Sequence, residues 1–294
     1  MSDHIGIHQI GDVKVTLIRE MEAGGIPAQA LIPDWDSGAV EAYKEGLVPV
    51  CLDKALEHVT LNNHSWLIQT PLHTVLIDTG VGNGKDCAIP MFDQLNNPYL
   101  ETLAAQGVQP DDVDYVVLTH LHVDHVGWNT RFVGGQWIPT FPNARYFLPR
   151  REHEHYAALL GTVGPGNPET AHYVDSVLPI LLQAELIDPE GGELFDGLAY
   201  WSTPGHSIGH MSIKLQSEGE QAIFAGDVFH HPLQIFKPEW SSIYSEHKAL
   251  GRKSRQAVLE YAASSGALVF TTHTPGPSAG HITREGQGFG WKFA

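Results

Sequence analysis

The sequence predicts a mixed α/β fold, a single domain of two similar halves. Three observations carry that prediction: period-two alternation opens the chain, a helical repeat then feeds a buried strand, and the same succession returns in the second half. The 294 residues are 42% hydrophobic, enough to bury a substantial core without disulfides or a partner. No Ser/Gly linker, charge run or solenoid period divides the chain. Residues 1–294 are therefore read as one domain, with residues 1–60 as a strand and an arm that covers the site or makes a dimer contact.

Taken in order, Asp12–Arg19 alternates as a half-buried strand, and His64–Thr70 with Thr74–Asp78 reads as a hairpin turning at Pro71-Leu72-His73. Residues 21–60 mix Gly, Pro and short apolar runs, which suggests an irregular arm with one helix near Gly38–Gly46. Apolar clusters in it, such as Ala28–Pro33, would call for a cover. Tyr99–Gln106 has helical spacing that stops at Gly107, and Val113–Thr119 is then a buried strand. Beyond it the pattern places strands near Ala144–Leu148, Leu198–Ser202, Met211–Gln216 and Ala222–Ala225. Residues 150–185 read as helical with a break at Gly164–Gly166, Lys253–Ser264 as a helix, and Ala267–Thr271 as the last strand.

A net charge of −17, from 34 acidic against 17 basic residues, argues against nucleic acid and anionic membrane as partners. Cys51 and Cys87 lack metal or CxxC spacing and read as free thiols. With no basic segment leading an apolar stretch at the start, and no apolar run of bilayer length, the expected location is cytoplasmic. Histidine is the outlier: 18 residues, each a potential ligand for zinc-like ions.

Thr119-His-Leu-His-Val-Asp-His-Val-Gly127 directly follows a predicted strand. Side chains two apart in extended chain share a side, so His120 and His122 can bind one metal. Asp124 and His125 are consecutive, so a turn must direct them to a second centre, and Gly127 lets the backbone bend. Alone, this would be read as a polar loop rich in histidine. It is followed, however, by Thr203–His210, Phe224–Val228 and Val269–His273, each placing His or Asp at a strand end or in an adjoining loop. Gathering ligands from several strand ends is how a rigid metal site is built.

With these residues the chain resembles the metallo-β-lactamase superfamily, whose His-x-His-x-Asp-His motif matches His120 to His125. The resemblance runs from about Leu61 to the C-terminus and implies an αβ/βα four-layer sandwich. It also implies two divalent ions, zinc first, with His120, His122 and His206 on one, Asp124, His125 and His273 on the other, and Asp227 between them. Asp78 matches an aspartate that orients the ligand loop. His122 stands where a di-iron branch has glutamate, and Asp227 where the antibiotic-hydrolysing branch has cysteine, so neither branch is favoured. The implied chemistry is hydrolysis by a water activated between the ions, with Asp124 as proton shuttle.

The C-terminal stretch Thr272–Trp291 is similar to the ending of methyl parathion hydrolases and lactonase-like members. That resemblance points to small neutral esters as substrates, lactones first and phosphotriesters as the alternative. A glyoxalase II-like thioesterase is less favoured, because the basic C-terminal region it uses is lacking. An iron-dependent persulfide dioxygenase is the competing class, and one iron per chain would distinguish it from a two-ion hydrolase. A homodimer is the expected assembly.

Other residues have plainer readings. His153 and His155 lie two apart on a predicted helix and so do not share a face. Gly80–Lys85 lacks the spacing of a phosphate loop. His210 follows His206 by four positions and is left out of the ligand set as a supporting residue. His230, three residues past Asp227, stands where homoserine lactonases have a substrate-bonding tyrosine; it is taken as a catalytic contact, with a structural role as the alternative. Trp128, Phe229 and Trp240 are candidates for an apolar pocket, or simply core.

Overall fold

A computed structural model describes residues 6–294. The first strands are β1 (Ile7–Ile10), β2 (Val13–Pro27), β3 (His58–Gln69), β4 (Thr74–Ile77), β5 (Tyr115–Val117), β6 (Thr130–Val133), β7 (Gln136–Pro139), β8 (Arg145–Pro149) and β9 (Ala184–Ile187). Then follow β10 (Gly192–Phe195), β11 (Leu198–Ser202), β12 (Met211–Ser217), β13 (Glu220–Phe224), β14 (Leu268–Phe270), β15 (Ala279–Glu285) and β16 (Gly288–Phe293). One seven-stranded sheet has the order β1-β2-β3-β4-β5-β8-β9, a second runs β10 to β16 in sequence, and β6 with β7 forms a ribbon. The residues divide into two compact units.

One unit comprises Val13–Met21 and Asn63–Pro189. Here β4, β5, β8 and β9 pair in parallel, so each connection must cross over. Helix Tyr99–Ala105 lies in the first of these connections and Arg150–Val163 in the third, while the loop after β5 and the ribbon form the second. Val75–Ile77, Val116–Leu118 and Tyr146–Leu148 are buried throughout, as parallel strands covered on both faces require. The expected hairpin is present as β3 and β4, with Trp66 opposite Ile77. The break expected at Gly164–Gly166 is also real: the long helix ends at Gly164, φ +83°. Pattern reading missed the ribbon, whose Gly134-Gly135 turn has φ of +60° and +88°.

The other unit comprises Glu22–Asn62, Glu190–Ala294 and the segment ending at Asp12. Neighbours among β10 to β16 are antiparallel except β13 and β14, which pair in parallel. Helix Lys248–Ser265 connects those two and ends at left-handed Gly266. In the arm, Asp36 caps a short helix, Ser37–Val40, that continues as a 3-10 turn to Tyr43. Ala28, Leu31, Ile32 and Trp35 are buried in one cluster with Leu233 and Trp240, so the apolar residues that seemed to need a cover have one within their own unit. β14 is not the last strand: β15 and β16 form a further hairpin, with Ile282 opposite Trp291. Its Gly-rich, charged sequence hides the strand period. Among the described residues no helix is long and apolar enough to cross a membrane.

Candidate metal centre

In both units the candidate ligands follow the ends of strands. β4 leads into Asp78 and β5 into Thr119–His125; in the other unit β11 leads to His206, β13 to Asp227 and β14 to His273. Loops leaving the carboxyl ends of strands are held by a sheet yet free to vary, which suits them to carry a site.

The first cluster is organised by Asp78, which adopts a left-handed φ of +55°. Its Oδ1 accepts the Thr119 N–H and its Oδ2 the Thr119 hydroxyl, each at 2.8 Å. Oδ2 also lies 2.9 Å from His125 Nδ1. The Thr119 hydroxyl has committed its proton to Asp78, so its oxygen can accept from His120 Nδ1, 2.9 Å away. Both rings thereby carry their protons on Nδ1, which makes Nε2 the lone-pair side of each. The rings of His120 and His122 are 4.6 Å apart and those of His120 and His125 4.0 Å. Asn63 Nδ2 donates to the Asp124 carbonyl (3.1 Å) and lies 3.4 Å from its Oδ2.

Gly127 is helical, so it is not a bend; a Cβ there would meet the Val81 carbonyl oxygen at 1.7 Å, and close approach is what demands glycine. Around the cluster stand groups that sequence reading did not single out. Glu20 accepts from the Val81 and Gly82 N–H groups (2.6 and 2.9 Å) and from the Trp128 indole (2.8 Å). Burial nevertheless pushes its carboxyl up to about 7. Glu152, also buried, receives the Leu121 N–H at 3.3 Å. His172, on helix Ala171–Ser176, is lowered to about 4, chiefly by burial and then by His122. No periodic signal marked these residues, because what they share is proximity to one loop.

In the second cluster three imidazoles converge on Oδ2 of Asp227: His273 Nε2 at 3.1 Å, His206 Nε2 at 3.3 Å and His230 Nε2 at 3.4 Å. All four residues are buried. His273 Nδ1 donates to the Asn62 carbonyl at 3.0 Å, which leaves Nε2 as the lone-pair side. The Asp227 N–H donates to His210 Nε2 at 2.9 Å, while His210 Nδ1 faces Thr203; His210 thus supports the ligand loop. Arg255, on helix Lys248–Ser265, donates to the carbonyls of Val228, Pro238 and Trp240. Burial lowers its guanidinium to about 10. Deep imidazoles facing one carboxylate oxygen, one of them, His273, with its second nitrogen bonded to a backbone carbonyl, are a donor set that fits a zinc-like divalent ion.

The expected ligands thus gather within each unit: His120, His122, Asp124 and His125 in one, His206, Asp227 and His273 in the other, together with His230. His153 and His155 lie on helix Arg150–Val163, where His153 Nδ1 pairs with the Tyr173 hydroxyl at 2.9 Å. Of the two readings of Trp128, Phe229 and Trp240, the structure bears out the core: they are packed with Tyr99, with Val258 and Leu259, and with Trp35 respectively. Large aromatics satisfy burial first, and sequence alone does not say which face water. Cys51 and Cys87 are free thiols.

A model of the metallo-beta-lactamase superfamily matches residues 59–273. An N-acyl homoserine lactonase of Bacillus thuringiensis is 26% identical over 168 residues, covering 52% of this chain and 58% of that protein. Metallo-beta-lactamase domain-containing protein 1 of Rattus norvegicus is 28% identical over 191 residues, covering 64% and 58%. Each match therefore spans little more than half of the relative. The crystal structure of the hydrolase AbOPH in the beta lactamase superfamily superposes with a TM-score of 0.80 at 24% identity, covering 99% of this chain and 97% of the other. AidC, a dizinc quorum-quenching lactonase in complex with a product, gives 0.77 at 19%, with the same coverages. At such identities these structures establish the fold, the αβ/βα class expected from the ligand motif.

Proposed function

The chain belongs to the metallo-β-lactamase superfamily, and from that premise we propose that it is a dinuclear metal-dependent hydrolase of small neutral esters, lactones first. The observation that carries this reading is a ligand set complete in kind and order, with rings already oriented by Asp78, Thr119 and Asn62. His120, His122 and His206 would hold one ion and Asp124, His125 and His273 the other, with Asp227 between them. When bound, two such ions, zinc in the first place, lower the pKa of a shared water and polarise an ester carbonyl. Asp124, whose side chain is 16% exposed, would carry a proton to the leaving oxygen, and the Asn63 amide beside it supports that reading. Lactones come first because the curated relatives at this similarity include N-acyl homoserine lactonases.

The second reading, phosphotriester hydrolysis, rests on the likeness of the C-terminal stretch Thr272–Trp291 to methyl parathion hydrolases, which it shares with lactonase-like members. The test is a panel of lactones, aryl phosphotriesters, thioesters and β-lactams assayed with the metal-loaded protein. Lactones should give the highest kcat/KM; cleavage of phosphotriesters alone would move the second reading to first place. One iron per chain in place of two zinc-like ions would favour the oxygenase class instead. A homodimer is also proposed, and sedimentation would read the assembly.

A further inference from the structure

Lengths around Asp227 separate two kinds of contact. A charge-assisted N–H···O hydrogen bond is about 2.7–2.9 Å long. Two atoms each about 2.0–2.1 Å from a tetrahedrally coordinated ion stand about 3.3–3.4 Å apart. His206 Nε2 at 3.3 Å and His230 Nε2 at 3.4 Å from Asp227 Oδ2 are long for the first and right for the second. The ligand atoms of these three buried residues all lie within 4.8 Å of one another. The backbone of His230 is also held in place: its main-chain N–H donates to Gln234 Oε1 at 2.7 Å. Its ring is stacked on His273 (centroids 5.6 Å, interplanar angle 14°) and packs against His206 at 4.9 Å.

We propose that His230 is itself a metal ligand, completing with His206 and Asp227 a two-histidine, one-carboxylate site that lies within a single unit of the protein. The inference rests on the reading that divalent ions occupy this centre. It adds a donor to the ligand set that the family motif implies, and it changes the role expected of His230 from sequence. An Nε2 that holds an ion has neither a free lone pair nor a proton to offer a substrate, so His230 tunes the ion instead of bonding the ester.

The test uses the full chain loaded with cobalt(II). Each coordinated imidazole with a proton on its outer nitrogen gives a paramagnetically shifted, solvent-exchangeable proton resonance. His230→Gln and His230→Phe should each lack one such resonance seen in the wild type. Competition with a chelator should show one zinc held about tenfold to a hundredfold less tightly in both variants. Unchanged shifted resonances in the variants would overturn the proposal. Should both variants misfold, a crystal structure of the zinc-loaded wild type decides: His230 Nε2 about 2.0–2.1 Å from an ion upholds it, and an ion bound without that contact overturns it. A protein that shows the His230 contact but cleaves no ester would sink the hydrolase reading and leave the ligand assignment standing; a protein that binds no divalent ion would sink both.

Discussion

The two ligand clusters are built on different plans. The first takes His120, His122, Asp124 and His125 from one loop and orients two of its rings through one carboxylate, Asp78. The second collects His206, Asp227, His230 and His273 from three loops. It has no single organiser: a backbone carbonyl serves His273, an imidazole serves the Asp227 N–H, and Arg255 ties down the carbonyls that follow. A contiguous cluster can be held by one side chain because its members already move together. A dispersed cluster depends on each strand end being where the sheet puts it, and its central carboxylate takes on the organising role.

Asp227→Ala should therefore have the largest effect. With the oxygen that faces three imidazoles removed, metal content should fall to one ion per chain or fewer, and kcat/KM on the best ester by about a thousandfold or more. Metal analysis with steady-state kinetics checks both; near-normal turnover would mean that the second cluster is not part of the working centre.

A smaller loss is expected from Asp78→Ala, which sharpens the comparison by removing an organiser while sparing every ligand. Metal affinity or activity should drop by about tenfold to a hundredfold. Titration against a zinc indicator reads it, and a loss equal to that of Asp227→Ala would show that Asp78 does more than orient His125 and Thr119.

The smallest effect concerns pH. Glu20 braces the Val81-Gly82 turn and Trp128 beside the first cluster, and burial raises its carboxyl from 4.5 to about 7. Between those values the folded protein binds more protons than the unfolded chain, so this group's contribution to stability is full below pH 4.5 and is lost as pH rises towards 7. The slope is at most about 1.4 kcal/mol per pH unit. Urea unfolding of wild type and Glu20→Gln from pH 4.5 to 7 should show a flatter profile in the variant; parallel profiles would remove Glu20 as the source.

Local periodicity made the hairpin of β3 and β4, the helix Tyr99–Ala105 and the strands β11 to β13 legible, because each has a clear hydrophobic pattern and a turn signal at its end. The ribbon Thr130–Pro139 and the hairpin of β15 and β16 were not, since glycine and charge interrupt their alternation. Among candidate functional residues, the spacing from His120 to His125 suggested ligands once His206, Asp227 and His273 also fell at strand ends or in adjoining loops, and the family pattern then divided them between two ions. Glu20, Asn63, Glu152, His172 and Arg255 carried no sequence signal at all.

By itself, then, the sequence determined the elements with strong periods, the candidate ligand types and their order, and an acidic net charge that argues against phosphate backbones as partners. Each of these follows from the chemistry of residues near one another in the chain. Only the tertiary structure decided that Trp128, Phe229 and Trp240 are core, that the arm is covered within its own unit, and that His230 points at the same carboxylate oxygen as His206 and His273. Those outcomes depend on which strand ends a sheet brings together, and a distance of a few ångströms between residues far apart in sequence leaves no trace in local spacing.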